Sequence, residues 1–307
     1  MSIVVVGTLG YDTVETGIER VEGVVGGSAS FFAIAARFFS PVSIVTALGS
    51  DFRADHQRIF AERGIDMRAV VTRDGPSFRW HGRYHEDFAR RETVSLSFNA
   101  FAGFHPDLLP DQRRADYVFL ANVSPDLQNH VIDQLSSPRM VGVDTMDHWI
   151  GDSRAELIDT LKRIDLLVLN ESEARMLSGE HHLVKAGRAL MRFGPKIVMI
   201  KRGEHGVIQM TADSMYIAPA FPVEAVVDPT GAGDAFAGAV MGYLARVGRT
   251  DEPALRIAAV YGNIMGSFTV ERFSLDRIAD LSWEEIDRRY REFIEMTDTN
   301  QARWNSQ

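Results

Sequence analysis

The residues best suited to chemistry lie in one segment, Val226–Gly238, which reads V-V-D-P-T-G-A-G-D-A-F-A-G. A β-type run at Val226-Val227 leads into a turn containing Gly231 and Gly233. A helix then begins near Gly233 and is apolar on most faces (Ala235, Phe236, Ala239, Val240, Met241), the pattern of a buried helix. The free N–H groups of a helix's first turn, with its dipole, form an anion site. Gly231, Ala232 and Gly233 leave those amides unshielded, so a phosphate oxygen can approach closely. Asp234 sits in the same turn. A carboxylate has a use at an anion site when a neutral hydroxyl must be oriented and deprotonated there. That is the arrangement for phosphoryl transfer: the amides meet the charge on the moving group and Asp234 accepts the proton. The positive helix end is expected to lower the Asp234 pKa. Taken alone, the same residues better suit a plain turn with Asp234 as a helix cap.

These residues need a scaffold, and the rest of the chain supplies one. Short apolar runs rich in branched residues recur at Ile3–Val6, Val42–Thr46, Tyr117–Ala121, Val141–Asp144, Leu166–Asn170 and Ile197–Lys201. Helical stretches alternate with them, including Ser28–Phe39, Asp55–Arg63, Ser153–Lys162, Glu171–Leu177 and Val184–Arg192. Strands that are apolar throughout, alternating with helices, indicate a parallel sheet covered on both faces. Two segments break the rhythm, 12–25 and 70–98. In Phe78–His85 the aromatic residues Phe78, Trp80 and Tyr84 alternate with Arg79, His81, Arg83 and His85, as in an antiparallel hairpin. Such a small sheet serves as a lid over a cleft, as an edge extension or as a dimer surface. The expected division is a body of residues 1–11, 26–68 and 99–300, a lid of 12–25 and 69–98, and a polar tail of 301–307.

Composition narrows the classes further. The chain has 307 residues, 45% of them hydrophobic and 24% charged, enough for one large core with a small appendage. The net charge of −9 argues against nucleic acid or a membrane surface as partner. With no cysteine, thiol catalysis, Fe–S clusters and disulfide scaffolds are excluded. No run reaches the ~20 apolar residues of a membrane span, and no secretory leader is evident, so a cytoplasmic location is expected. Gly7-Thr-Leu-Gly10 lacks the G-x-G-x-x-G spacing of a dinucleotide fold, and no G-x-x-x-x-G-K-[ST] occurs.

The pattern D-x-T-G-A-G-D-x-F at Asp228–Phe236 resembles the C-terminal signature of the ribokinase-like (PfkB) carbohydrate kinases, and the resemblance extends from Val5 to about Phe273. It implies a three-layer α/β/α sandwich with a mostly parallel central sheet and a small antiparallel β lid. It also implies ATP-dependent phosphorylation of a hydroxymethyl group on a sugar or a nucleoside. Asp234 would be the base and the Gly231–Gly233 amides the anion hole. Asp12 would bind substrate hydroxyls, and Gly26-Gly27 would let substrate approach the backbone. Ser28 stands where relatives often have Asn. Asn170 and Glu173 match the family's N-x-x-E, with Glu173 organising Mg²⁺ through water; by spacing alone the pair is a capping box. Lys201, Gly203, Gly206, Thr230 and Asn263 fall where the family holds nucleotide. Asp228 and the Gly266-Ser267 region match positions that ligate K⁺ in some relatives. In the segment 144–149, Met146 and His148 replace the Asn and Arg of D-x-N-x-R, the form common in acidic-sugar kinases. From the lid, Arg83 is a candidate substrate contact, and a homodimer through the lid is implied. A non-catalytic ligand-binding protein on the same fold is the alternative from another class.

Overall fold

The computed structural model describes residues 1–17, 19–85, 88 and 91–298. Most of the expected turn at 86–91 and the tail at 301–307 lie outside the described residues.

Strands are numbered in chain order: β1 Ile3–Val6, β2 Gly10–Glu15, β3 Arg20–Gly26, β4 Val42–Gly49, β5 Asp66–Arg73, β6 Phe78–Tyr84 and β7 Arg91–Ser97. The series continues with β8 Tyr117–Leu120, β9 Met140–Asp144, β10 Leu166–Asn170, β11 Ile197–Lys201, β12 Val207–Met210 and β13 Met215–Ala218. Nine of them form one sheet in the order β13-β12-β11-β10-β9-β8-β1-β4-β5. Seven run parallel, and the hairpin β12–β13 adds an antiparallel edge.

The parallel strands are buried on both faces, which is why their apolar runs are continuous. Ile3 and Val5 pack into one core with the helices Ser28–Ala36, Ala232–Val247 and Glu252–Thr269. Val4 and Val6 face the opposite core, with the helices Pro125–Ile132, Arg154–Leu161 and Glu171–Ser178. The result is the expected three-layer sandwich. Among the described residues, no helix is long and apolar enough to cross a membrane.

A second sheet, β3-β2-β6-β7, stands beside the first. Its outer pairs β2–β3 and β6–β7 are antiparallel hairpins, whereas its central pair β2–β6 is parallel. Its boundaries differ from the expected ones. Residues 69–73 belong to β5, an edge of the large sheet, and Gly10 and Tyr11 belong to the small one. Val226-Val227 forms no strand; instead the Val227 and Asp228 N–H groups donate to the Val270 carbonyl at 2.8 and 3.2 Å.

The helix Ala232–Val247 starts from Gly231, whose φ is 76°. A Cβ there would lie 2.2 Å from the ring of the buried Phe31, so the turn and the helix Ser28–Ala36 fit together only with glycine. The positive φ costs an L-residue about 1–2 kcal/mol, and overpacking adds about 1–3 kcal/mol. Gly231→Ala is therefore expected to lower the unfolding free energy in urea by about 2–5 kcal/mol.

Candidate active site

Three parallel strands end on polar residues. Asp144, Asn170 and Lys201 are the last residues of β9, β10 and β11, and Asn170 is in register with Lys201. Their common edge is the carboxyl end of the sheet, where open α/β sheets bind ligands. Lys201 Nζ donates to Asp144 Oδ2 at 2.9 Å, and the Thr145 N–H donates to Asp144 Oδ1 at 2.8 Å. A Cβ on Gly233 would lie 2.8 Å from Lys201 Nζ, so the ammonium rests against the first turn of Ala232–Val247. Asp144 was not among the expected site residues, although its place at a strand's carboxyl end is the same signal that singled out Asn170.

Asn170 and Glu173 form a reciprocal capping box. The Asn170 N–H donates to Glu173 Oε2 at 2.7 Å, and the Glu173 N–H donates to Asn170 Oδ1 at 2.9 Å. Burial, and secondarily the Asp144 charge, push the Glu173 carboxyl up to about 8. Burial alone would lower the Lys201 pKa, but Asp144, Glu173 and Asp234 together raise it, so the lysine stays charged.

Asp234 behaves against expectation. Burial, then Asp144, raise its carboxyl to about 7, with Lys201 and Arg91 opposing. The helix end does not prevail because desolvation and a like charge act on the same group. Among the expected amides, the Ala232 N–H meets the Pro229 carbonyl at 3.2 Å. No acceptor is found for the Gly231 and Gly233 N–H groups among the described residues, and the N–H of Asp234 likewise faces no carbonyl.

The lid side carries Asp12, which is 4% exposed on β2. Burial and then Asp228 push it up to about 8, with the Gly27 amide pulling it back. Its Oδ1 has no partner among the described residues. Gly26 is required beside it, since a Cβ there would lie 2.0 Å from Asp12 Oδ2. Ser28 is tied inward: its N–H donates to Thr8 Oγ1 at 3.1 Å, and its Oγ accepts from the Thr8 N–H at 3.3 Å. Asp228 Oδ1 accepts from the Thr230 N–H at 2.8 Å. Thr230 Oγ1 donates to the Tyr84 hydroxyl at 3.2 Å, which docks the end of β6 onto this turn.

The alternation on β6 thus places the aromatic residues toward the body and the basic ones outward. Arg83 pairs with Glu15 at 2.6 Å on the face away from Tyr84 and is 48% exposed, so the structure does not bring it to the cluster. Arg79 pairs with Asp51 and His81 with Glu15 on that same outer face.

On the far side of Lys201, Gly203 and Gly206 shape the tight turn between β11 and β12, both with positive φ. The Asn263 amide donates to the carbonyls of Pro219 at 2.8 Å and Ala218 at 3.3 Å, holding the strand that follows. The donor sets differ in their fit to cations. Around Asn170, Glu173, Asp144 and Asp234 the oxygens are hard, and their crowding disfavours ionisation in the absence of a cation, a donor set that suits Mg²⁺ keeping most of its waters. Among the described residues no three acidic or His groups converge to hold a metal directly. The Ser267 hydroxyl is engaged within the fold: its Oγ accepts from Arg289 Nη1 at 3.0 Å and donates to the Ile264 carbonyl at 2.7 Å.

The structure thus gathers Asn170, Lys201 and the glycine-capped helix carrying Asp234, residues that the resemblance named, and adds Asp144 to them. The model of the pfkB family of carbohydrate kinases matches residues 2–276. The chain belongs to this family. A cytidine kinase of Thermococcus kodakarensis is 30% identical over 264 residues, 84% of this chain and 93% of that relative. The nucleoside kinase structure from Methanocaldococcus jannaschii superposes with a TM-score of 0.74 at 17% identity, covering 95% of this chain and 98% of the other. The aminoimidazole riboside kinase structure from Salmonella enterica gives a TM-score of 0.74 at 18% identity, covering 94% and 100%. The pfkB family are kinases of sugars and nucleosides, and this chain is one of them.

A base with a carboxyl near 7 must lose its proton before it can act. For the free enzyme, log kcat/KM is expected to rise with unit slope up to about pH 7 and then level. A flat profile from pH 5.5 to 8 would contradict the role of Asp234. Tyr84→Phe removes one lid contact and should raise acceptor KM about 3–10-fold, for a net hydrogen bond of about 1 kcal/mol.

Proposed function

We propose that the protein transfers the γ-phosphoryl group of ATP to a hydroxymethyl group of a sugar or sugar-like substrate. The observation that carries this reading is Asp234 in the first turn of Ala232–Val247, flanked by free amides and by the Lys201 ammonium. Asp12, with its unpartnered Oδ1, accepts hydrogen bonds from substrate hydroxyls. Gly26 and Gly27 let the substrate lie against the backbone. The acceptor hydroxymethyl is oriented toward Asp234 Oδ, which takes its proton as the new O–P bond forms and the bond to ADP breaks. The free Gly231 and Gly233 amides meet the phosphoryl oxygens. Asn170 and Glu173 would hold Mg²⁺ through water, and the bound ion would offset charge on the phosphates. Lys201, Thr230, Gly203, Gly206 and Asn263 line the nucleotide side.

A nucleoside acceptor is the second reading within the class. It is favoured by the aromatic face of β6, which turns toward the body, and by the cytidine kinase relative, which matches over nearly its whole length. Ring faces of this kind suit a nucleobase.

Asp234→Asn keeps the size of the side chain and removes the base. It should cut kcat by at least about 100-fold while ATP still raises the melting temperature as in the wild type. Turnover of the variant at the wild-type rate would sink the assignment. Phosphorylation of ribose, other sugars and the common nucleosides, assayed in parallel by ADP release, separates the two acceptor readings.

A further inference from the structure

The segment 144–149 stood out in the sequence, yet the mechanism above gives Asp144 no task. We propose that Asp144 is a positioning residue for phosphoryl transfer, holding the Lys201 ammonium against Gly233 so that its remaining N–H donors meet the oxygens of the moving phosphoryl group. The proposal rests on the kinase reading of the site.

The geometry supports each part. Both Asp144 oxygens are fixed, Oδ1 by the Thr145 N–H at 2.8 Å and Oδ2 by Lys201 Nζ at 2.9 Å. The backbone that carries Asp144 is also held: buried Gln128 donates to the Asp144 carbonyl at 3.2 Å and to the Ala121 carbonyl at 3.2 Å, tying together the ends of β9 and β8. The Asp144 side chain is 7% exposed and that of Lys201 is 16% exposed, so the pair is shielded but not sealed. A lysine has three N–H donors. Among the described residues Nζ makes one hydrogen bond, to Asp144, which leaves two donors. Nζ itself stands 2.8 Å from where a Cβ on Gly233 would be, beside an amide with no acceptor among the described residues.

Neither of the other carboxylates can replace Asp144. Glu173 is engaged with the Asn170 N–H, and Asp234 must be free to receive the acceptor proton. Without Asp144 the flexible lysine stem would let the ammonium drift toward either of them. In the transfer step Lys201 gains and loses no proton. The acceptor proton passes to Asp234, one P–O bond forms, the bond to ADP breaks, and the ammonium follows the oxygens as their charge shifts.

The test is a double-mutant cycle in the full chain: Asp144→Asn, Lys201→Met and both together, with kcat, KM for ATP and acceptor, melting temperature and Mg²⁺ dependence measured for each. Removing a preorganised donor costs about 100–1,000-fold in kcat, so Lys201→Met should fall in that range. Asp144→Asn should lose about 10–100-fold in kcat with acceptor KM within about 2-fold. Because Asp144 acts through Lys201, the double variant should match Lys201→Met to within about 2-fold. Asp144→Glu keeps the charge but moves it by one methylene. A kcat loss in that variant at an unchanged melting temperature supports positioning, and it covers the case where Asp144→Asn does not fold.

Several results overturn the proposal: wild-type kcat in Asp144→Glu, losses that multiply in the double variant, or recovery of Asp144→Asn at high Mg²⁺, which would make Asp144 a metal ligand. A wild-type protein that turns over no sugar or nucleoside defeats the proposed function itself. An active wild type with an indifferent Asp144 defeats only this inference.

Discussion

Three carboxylates, Asp144, Glu173 and Asp234, share one lysine at the mouth of the helix Ala232–Val247, and most of the architecture exists to hold that unbalanced group together. Left to itself the cluster resists ionisation: Glu173 is pushed up to about 8 and Asp234 to about 7 by burial and mutual repulsion. Near neutral pH these residues by themselves therefore cannot carry all their negative charges without strain. That strain is useful. In the proposed reading a cation bound with the nucleotide would relieve it, and relief of strain in the native state adds to apparent affinity and stability by linkage. The overall charge of −9 opposes anionic phosphates at long range. Attraction must be local, and the structure gathers it in one place from Lys201, the Gly231 and Gly233 amides and the charge of Arg91.

The small sheet contributes more than a cover. Asp12, the carboxylate that meets substrate hydroxyls in the proposed reading, lies on β2 of that sheet rather than on the body. Its register partner Trp80 is on β6, and four residues later Tyr84 reaches Thr230, three residues before Gly233. A substrate held by Asp12 is thus bound to the same rigid unit that docks on the turn before the anion hole. Arg91 is the register partner of Tyr84 on β7, and its charge acts on both Asp234 and Glu173. The small sheet therefore also places positive charge beside a cluster that lacks it.

Much of this was legible in the sequence where one physical cause dominated. The strands Ile3–Val6, Leu166–Asn170 and Ile197–Lys201 fall at their expected bounds because burial on both faces demands unbroken apolar runs. The period of two in Phe78–Tyr84 correctly separated an aromatic face from a basic one. Which face turned inward was settled only by the docking of Tyr84, which is why Arg83 was misplaced. The hairpin β12–β13 was missed because its strands are four residues each and lie next to a similar run, so no local signal marks where the sheet reverses. The helix Trp283–Thr297 was missed despite a capping box from Ser282 to Glu285, since its charged surface obscures the apolar stripe of Ile286 and Phe293. The Asp234 ionisation was misjudged for another reason. The helix dipole is a local feature, whereas burial, the larger cause, and then Asp144, from a strand ninety residues earlier in the chain, are set by the tertiary fold.

Structural and functional readings of a polar residue are often set against each other, and this site shows why the contrast is weak. Asn170 and Glu173 do form a capping box, Asp228 does fasten the turn through Thr230, and Ser28 does tie back to Thr8. Each bond fixes a side chain that faces the ligand edge of the sheet or the turn beside it. An ionised carboxylate has two oxygens and about four lone-pair sites, so Glu173 can accept the Asn170 N–H and still hold a water. Capping therefore supplies the preorganisation that a catalytic constellation needs, because a group already held in place loses little freedom when substrate arrives. Asp12 is the exception that fits the same logic. Its Oδ1 is buried and unpartnered among the described residues, a cost that in the proposed reading a substrate hydroxyl relieves.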